Sequence, residues 1–265
     1  MSNSMFSSFT GTKGGTDFGE RMLNAVATQS IRHLFSQSEA VDVAIRCQPS
    51  SKLMQGSIDS FKMTGQQLVI RRQFEVVKMA FETDAVAIDF GSLLSGKLRL
   101  KQPTQAVAQI TLAEAGINRA FSADLVQKRL QNLELEPLTN LSGGEPISFR
   151  DVLVKLLPEN RVQIFAKTDL PNRADLPIRL TATLAIEKRR RILFQNSQFE
   201  GEGLPESICG LSETLTTAFV EILNEMVDLD RFDLDGVVLR LNRLETQDQQ
   251  LLFSGYAQIE HFPSI

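Results

Sequence analysis

Apolar residues alternate with polar ones over much of this chain, and the period of two predicts strands before any motif is considered. Val41, Val43, Ile45 and Cys47 alternate with Asp42, Ala44 and Arg46, giving a first strand. Three longer segments follow, at Ser57 to Ile70, Phe74 to Asp89 and Lys97 to Ile110. Within the first of them Ile58 and Ser60 share one face, while the apolar set continues on Phe61 and Met63. That parity shift predicts a bulge and a bent strand. Five more strands are predicted at Arg161 to Lys167, Pro177 to Glu187, Arg191 to Glu200, Val237 to Glu245 and Gln250 to Phe262. The cleanest alternation is Ile178, Leu180, Ala182, Leu184 and Ile186, which implies one buried face and one wetter face.

Three segments carry helical spacing instead. Phe18, Met22, Val26, Ile31, Leu34 and Phe35 predict a helix over residues 17–38, with Thr16 or Asp17 as its cap. Thr111 followed by Glu114 has the form of a capping box opening a short helix to Phe121. The strongest pattern is Ile208, Leu211, Leu215, Phe219, Ile222 and Met226, a continuous stripe predicting a helix from Pro205 to Val227. At about 1.5 to 3 kcal/mol for each large side chain, that stripe must lie against a sheet. Between these elements, Pro137 to Ser148 reads as a loop, and residues 1–15, rich in Ser, Thr and Gly, as a disordered tail. Residues 16–265 are then expected to form one elongated α+β domain. A faint repeat relates Val43-Ala44-Ile45 and the Leu53 to Gly56 turn to Val86-Ala87-Ile88 and the Leu93 to Gly96 turn.

Composition narrows the function. The 265 residues carry 17 Phe, one Tyr and no Trp, so Phe supplies the aromatic packing. A net charge of −4 repels a phosphate backbone and argues against nucleic acid as a partner. Cys47 and Cys209 lie far apart without metal-ligand spacing, which fits a reducing compartment. No apolar run approaches the roughly 20 residues that span a bilayer. The N-terminal segment has neither a basic region nor an apolar one, so no secretory signal is read and a cytoplasmic location is expected.

Catalytic and metal motifs fail on spacing. His33 and His261 stand at opposite ends of the chain. Asp228, Asp230, Asp233 and Asp235 resemble a calcium loop, but from Asp228 the fifth position is Phe232 and the sixth Asp233, so a solvated turn is expected. Gly11 to Gly15 does not match a phosphate loop, Gly201-Glu202-Gly203 places an anion where phosphate would approach, and there is no Gly-x-Ser-x-Gly elbow. No catalytic residue, metal ligand or cofactor is predicted. Two features remain. Lys188, Arg189, Arg190 and Arg191 form a basic run between two strands, a hairpin tip able to meet anionic headgroups at about 1 kcal/mol per charge. Leu211, Leu215, Phe219, Ile222 and Met226 on the long helix would line a cavity if helix and sheet stood slightly apart, and otherwise form an ordinary core.

The order of elements, with Val41-Asp42-Val43, the two Leu-to-Gly turns, Ile110 to Asn118, Asp228-Leu229-Asp230 through Phe232, and Gly236 before the strand at Val237, resembles the LmeA-like phospholipid-binding family. Gly116 stands where the family often has an acid. The resemblance covers most of residues 39–262. It implies a tubular-lipid-binding-like fold, a long, curved, mainly antiparallel sheet wrapped around a long amphipathic helix. It also implies phospholipid as partner, held without being turned over, and the basic run Lys188 to Arg191 adds an expected transient contact with an anionic membrane. The alternative is a scaffold or assembly protein with a filled core that acts through its surface. Neither reading fixes the oligomeric state.

Overall fold

The computed structural model describes residues 18–49, 51–94, 99–134, 136–231 and 236–261. The expected tail, the caps Thr16 and Asp17, the turn residues Ser95 and Gly96, and Phe232, Asp233, Asp235 and Phe262 lie outside the described residues. In chain order the elements are α1 (Phe18–Arg32), β1 (Ala40–Arg46), α2 (Ser51–Met54), β2 (Ser57–Ile58), β3 (Ser60–Ile70), β4 (Phe74–Thr83), β5 (Val86–Ala87), α3 (Phe90–Leu94) and β6 (Thr104–Ala113). There follow α4 (Glu114–Phe121), α5 (Asp124–Gln127), α6 (Glu136–Ser142), β7 (Phe149–Leu157), β8 (Arg161–Leu170), β9 (Arg173–Glu187), β10 (Arg191–Phe199), α7 (Glu206–Met226), a 3-10 turn at Leu229–Arg231, β11 (Val237–Gln247) and β12 (Gln250–Ile259).

The class is antiparallel α+β, as the alternation predicts. Six strands pair in the order β1-β3-β4-β6-β12-β11, four in the order β10-β9-β8-β7, and β2 with β5 forms a ribbon. The chain's last hairpin returns to the first sheet, so β12 lies beside β6. Three apolar clusters result, the smallest made of Ala106, Ala108, Ala257 and Ile259 on β6 and β12. The largest lies between the four-stranded sheet and α7, and draws in Leu244 and Leu251 from the last hairpin. The other fills the space among α1, β1, β3, β4 and the ribbon.

Several boundaries differ from the sequence expectation for local reasons. The helix expected to residue 38 stops at Arg32, because Ser36 donates its N–H to the Val69 carbonyl and Gln37 accepts from the Val69 N–H. The segment Ser57 to Ile70 is two strands: Asp59 breaks it, and the parity shift is a change of partner, with Ser57–Ile58 pairing to β5 and Ser60 onward to β1 and β4. The strand expected from Lys97 begins at Thr104, after Pro103, which lacks the N–H that a ladder needs. It runs on to Ala113, so Thr111 pairs with Leu252 instead of capping, and Ala113 occupies the cap position with no side-chain bond. The expected loop from Pro137 contains α6, anchored by the fully buried Leu138 and ended by Gly143 and Gly144 at positive φ.

Candidate functional site

Helix α7 begins one residue after Pro205, which sits at the cap position. Of its candidate cavity residues, Leu215 and Phe219 are 0% exposed, so neither borders a space that admits even a water molecule. Ile222 is buried too, while Leu211 and Met226 are half-buried. Phe219 tilts against Phe149 of β7 with ring centroids 4.7 Å apart. The helix is buried over more of its circumference than the apolar stripe suggests: Ser212, Thr216, Ala218, Val220 and Leu223 are also buried. The Ser212 and Thr216 hydroxyls, one turn apart, have no hydrogen-bond partner there. In this state α7 is core, packed as tightly as a protein interior.

The basic run forms the turn between β9 and β10, with Lys188 and Arg189 both at positive φ. Only part of it faces water. Arg190 donates to Asp230 at 2.7 Å and lies 3.8 Å from Asp228. Arg191 pairs with Glu187 and donates to the Asn224 carbonyl at the end of α7. Arg240 of β11 reaches Asp230 from the other side at 2.6 Å. Hydrogen bonds from Arg190 and then Arg240 hold the Asp230 carboxyl below the usual carboxylate range, and Asp230 with Asp228 raises the Arg190 guanidinium above its own. The acidic stretch, expected as a solvated turn, thus supplies the counter-charges of the basic run, and Asp228 is only 6% exposed. Lys188 and Arg189 remain exposed. Arg189 lies 5.6 Å from the ring centre of Tyr256, a cation–π distance. Tyr256 pairs across strands with Val107, and both are exposed apolar side chains on the outward face, at 44% and 45%.

The inward face of the six-stranded sheet differs from the surroundings of α7. One row of paired residues crosses all six strands as Val43, Met63, Phe81, Ala108, Gly255 and Leu241. In the next, Ala106 pairs with Ala257 and Ala257 with Leu239. Ala106, Ala108 and Ala257 form a floor of small side chains, against which Phe81 and Leu239 pack while staying half-buried. A void of about 10 Å³, lined by Ile58, Phe61, Val86, Ile88, Thr104 and Ile259 among others, adjoins this floor under the β2–β5 ribbon. Thr83 and Thr104, whose hydroxyls also face that end, lie 3.4 Å apart and bond each other.

The residues Ile110 to Asn118 that carry the family resemblance turn out to be a joint. Asn118 of α4 accepts the Val154 N–H at 2.7 Å and donates to the Val154 carbonyl at 2.9 Å, while Glu114 accepts the Leu156 N–H at 2.7 Å. These bonds close the outer edge of β7. The edge of β1 is closed the same way by α1, where Asn24 accepts from Ile45 and the buried Glu20 from Cys47. Both helices use Glu-x-x-x-Asn, a spacing visible in the sequence and distinct from the repeat around Val43 and Val86. Gly116 lets α4 approach β4, since a Cβ there would stand 3.3 Å from the Glu75 carbonyl oxygen. An acid at this position would meet both that oxygen and the nearby Glu75 carboxylate.

Among the described residues, no group of three or more His, Cys, Asp or Glu side chains is placed to hold a metal ion, and no helix is long and apolar enough to cross a membrane. A family model described as LmeA-like phospholipid-binding matches residues 14–255. No curated protein and no solved structure matches the chain significantly.

Proposed function

The chain belongs to the LmeA-like phospholipid-binding family, and from that premise we propose that it holds phospholipid non-covalently, shelters the acyl chains from water and exchanges them at an anionic membrane. The family match over residues 14–255 carries this reading. Physical chemistry supports it: each CH₂ withdrawn from water contributes about 0.8 kcal/mol, so even partial shelter of one chain gives useful affinity. Membrane contact falls to Lys188 and Arg189, since Arg190 and Arg191 are held by Asp228, Asp230 and Glu187. Tyr256 beside Arg189 suits an interfacial position, with an amphipathic ring next to a cation. Leu215, Phe219 and Ile222 then act as the packing that seats α7 against its sheet, and Leu211 and Met226 as its half-buried rim.

Native mass spectrometry and lipid extraction of protein purified without detergent test the proposal, together with flotation on vesicles containing phosphatidylglycerol. The expected result is copurifying phospholipid, and vesicle binding that falls at least about thirtyfold for the double variant Lys188→Glu, Arg189→Glu, since each lost contact removes about 1 kcal/mol and each new acid repels. Absence of both lipid and vesicle binding would overturn it. One observation favours a second reading, a scaffold acting through its surface: Leu215 and Phe219 are sealed in a filled core. That reading predicts no lipid and a stable partner bound at the outer surface.

A further inference from the structure

We infer that the outward face of the four-stranded sheet is the surface that lies on an anionic membrane, with Lys155, Arg161 and Arg179 meeting the phosphate groups and Leu153 and Phe165 the layer beneath them. This rests on the phospholipid reading above and extends its membrane contact from the turn between β9 and β10 along the sheet.

Cross-strand register puts these residues on one face. Leu153 pairs with Phe165 and Phe165 with Arg179. In the next outward row Lys155 pairs with Gln163, and in the one after it Leu157 pairs with Arg161. The rows between them, such as Val154, Ile164 and Leu180, are buried in the cluster beneath α7. Leu153 is 44% exposed and Phe165 half-buried, and neither belongs to any of the apolar clusters, so both stand outside the core. Lys155 lies 5.4 Å from the ring centre of Phe165, which sets a cation beside the largest apolar side chain of the face.

Charge is spread unevenly over this face, and its chemistry selects the occupant. At one end Asp169 and Asp175 bind Arg150, and at the other Glu187 binds Arg191. Between them Glu200 accepts from Gln163 at 2.7 Å. Among the described residues no ion pair holds Lys155, Arg161 or Arg179; the Arg179 guanidinium donates only to the neutral Glu202 carbonyl, at 3.4 Å. The middle of the face is therefore positive in a chain whose net charge is −4. Arg161 pairs with Thr183, about 13 Å along β9 from Glu187, so the positive middle leads toward Lys188 and Arg189 at the turn. A single-stranded nucleic acid would stack successive bases on several aromatic rings, and these rows offer one, Phe165. A bilayer needs only spaced cations at the depth of its phosphates, with a few apolar side chains beside them.

Flotation of the full chain on vesicles of phosphatidylcholine and phosphatidylglycerol tests the inference. The double variant Lys155→Ala, Arg161→Ala should bind about thirtyfold more weakly, the contribution of two cations near an anionic surface, with the thermal midpoint showing that it folds. In the wild-type chain, lysine acetylation read by peptide mass spectrometry should slow at Lys155 when vesicles are present. It should keep its rate at Lys78, exposed on the outward face of the six-stranded sheet. Vesicle binding that survives the double variant, or Lys155 left unprotected on vesicles, overturns the placement and leaves the phospholipid reading standing. A single-stranded oligonucleotide bound by the wild-type chain and lost by the double variant, with vesicle binding unchanged, assigns the face to nucleic acid and overturns it too. A wild-type chain that carries phospholipid but binds no vesicles overturns the membrane surface alone; one that does neither overturns both.

Discussion

The interior around α7 and the inward face of the six-stranded sheet are both sealed at their centres, but they are filled with side chains of different size. Around α7, the inward residues of β8 and β9 are mainly large and branched, with Ala166 and Ala182 among them, the helix is buried on both flanks, and Phe149 packs against Phe219. On the six-stranded sheet the central inward positions are alanine and glycine, and Phe81 beside them stays partly in contact with water. Gly255 has a local reason, because a Cβ there would stand 1.8 Å from the Arg240 carbonyl oxygen beside the irregular register at Leu241. A sealed side chain loses contacts on every side when it is truncated, whereas one already partly wetted has fewer to lose.

Truncation should separate these regions most strongly. Phe219→Ala is expected to destabilise the fold by about 3 to 5 kcal/mol in urea unfolding, as for a sealed aromatic whose neighbours cannot collapse. Phe81→Ala, already half solvated, should cost roughly 1 to 2 kcal/mol because less apolar surface is lost. Equal costs would erase the contrast. The helix-to-edge joints offer a second, smaller contrast. Asn118→Ala leaves both the Val154 N–H and its carbonyl unpaired and should cost about 2 kcal/mol, against about 1 kcal/mol for Asn24→Ala, which strands only the Ile45 N–H. Amide exchange at Val154 and Ile45 reads each joint directly.

Smallest is an effect of acid at the hairpin tip. The Asp230 carboxyl is depressed in the folded state, so its contribution is complete above the ordinary carboxylate value of 3.8 and fades as pH falls below that, through the depressed value. Arg190 and Arg240 are then released. With one tyrosine and no tryptophan in the chain, Tyr256 fluorescence should report this loosening through Arg189, with a midpoint below 3.8. An Asp230→Asn variant should lack the transition.

Periodicity made most of this fold legible. The alternation at Ile178 to Ile186 and the stripe of α7 correspond to elements within a few residues of their expected ends. Strand β7 went unseen because its register shifts between Arg150 and Leu153, where Asp151 takes a positive φ and the apolar residues change parity. Helix α6 was hidden by its flanking Gly and Pro residues, which mark ends as readily as loops. The candidate site was less legible. Basic residues in a row reveal charge but not counter-charge, and Asp228 and Asp230 come into place only through the fold. Alanines in alternating positions of β6 register as weak strand signal, and nothing local says that they come to lie beside Phe81.

The Glu-x-x-x-Asn joints bear on how the protein behaves in a crowd. A strand laid against a bare edge satisfies that edge and offers its own far side to the next chain, so pairing can propagate into a polymer. A helix supplying two side-chain acceptors ends the series, because its own backbone is already bonded within itself. With β1 and β7 each terminated in this way, copies of the protein that meet along those edges find no template on which to grow.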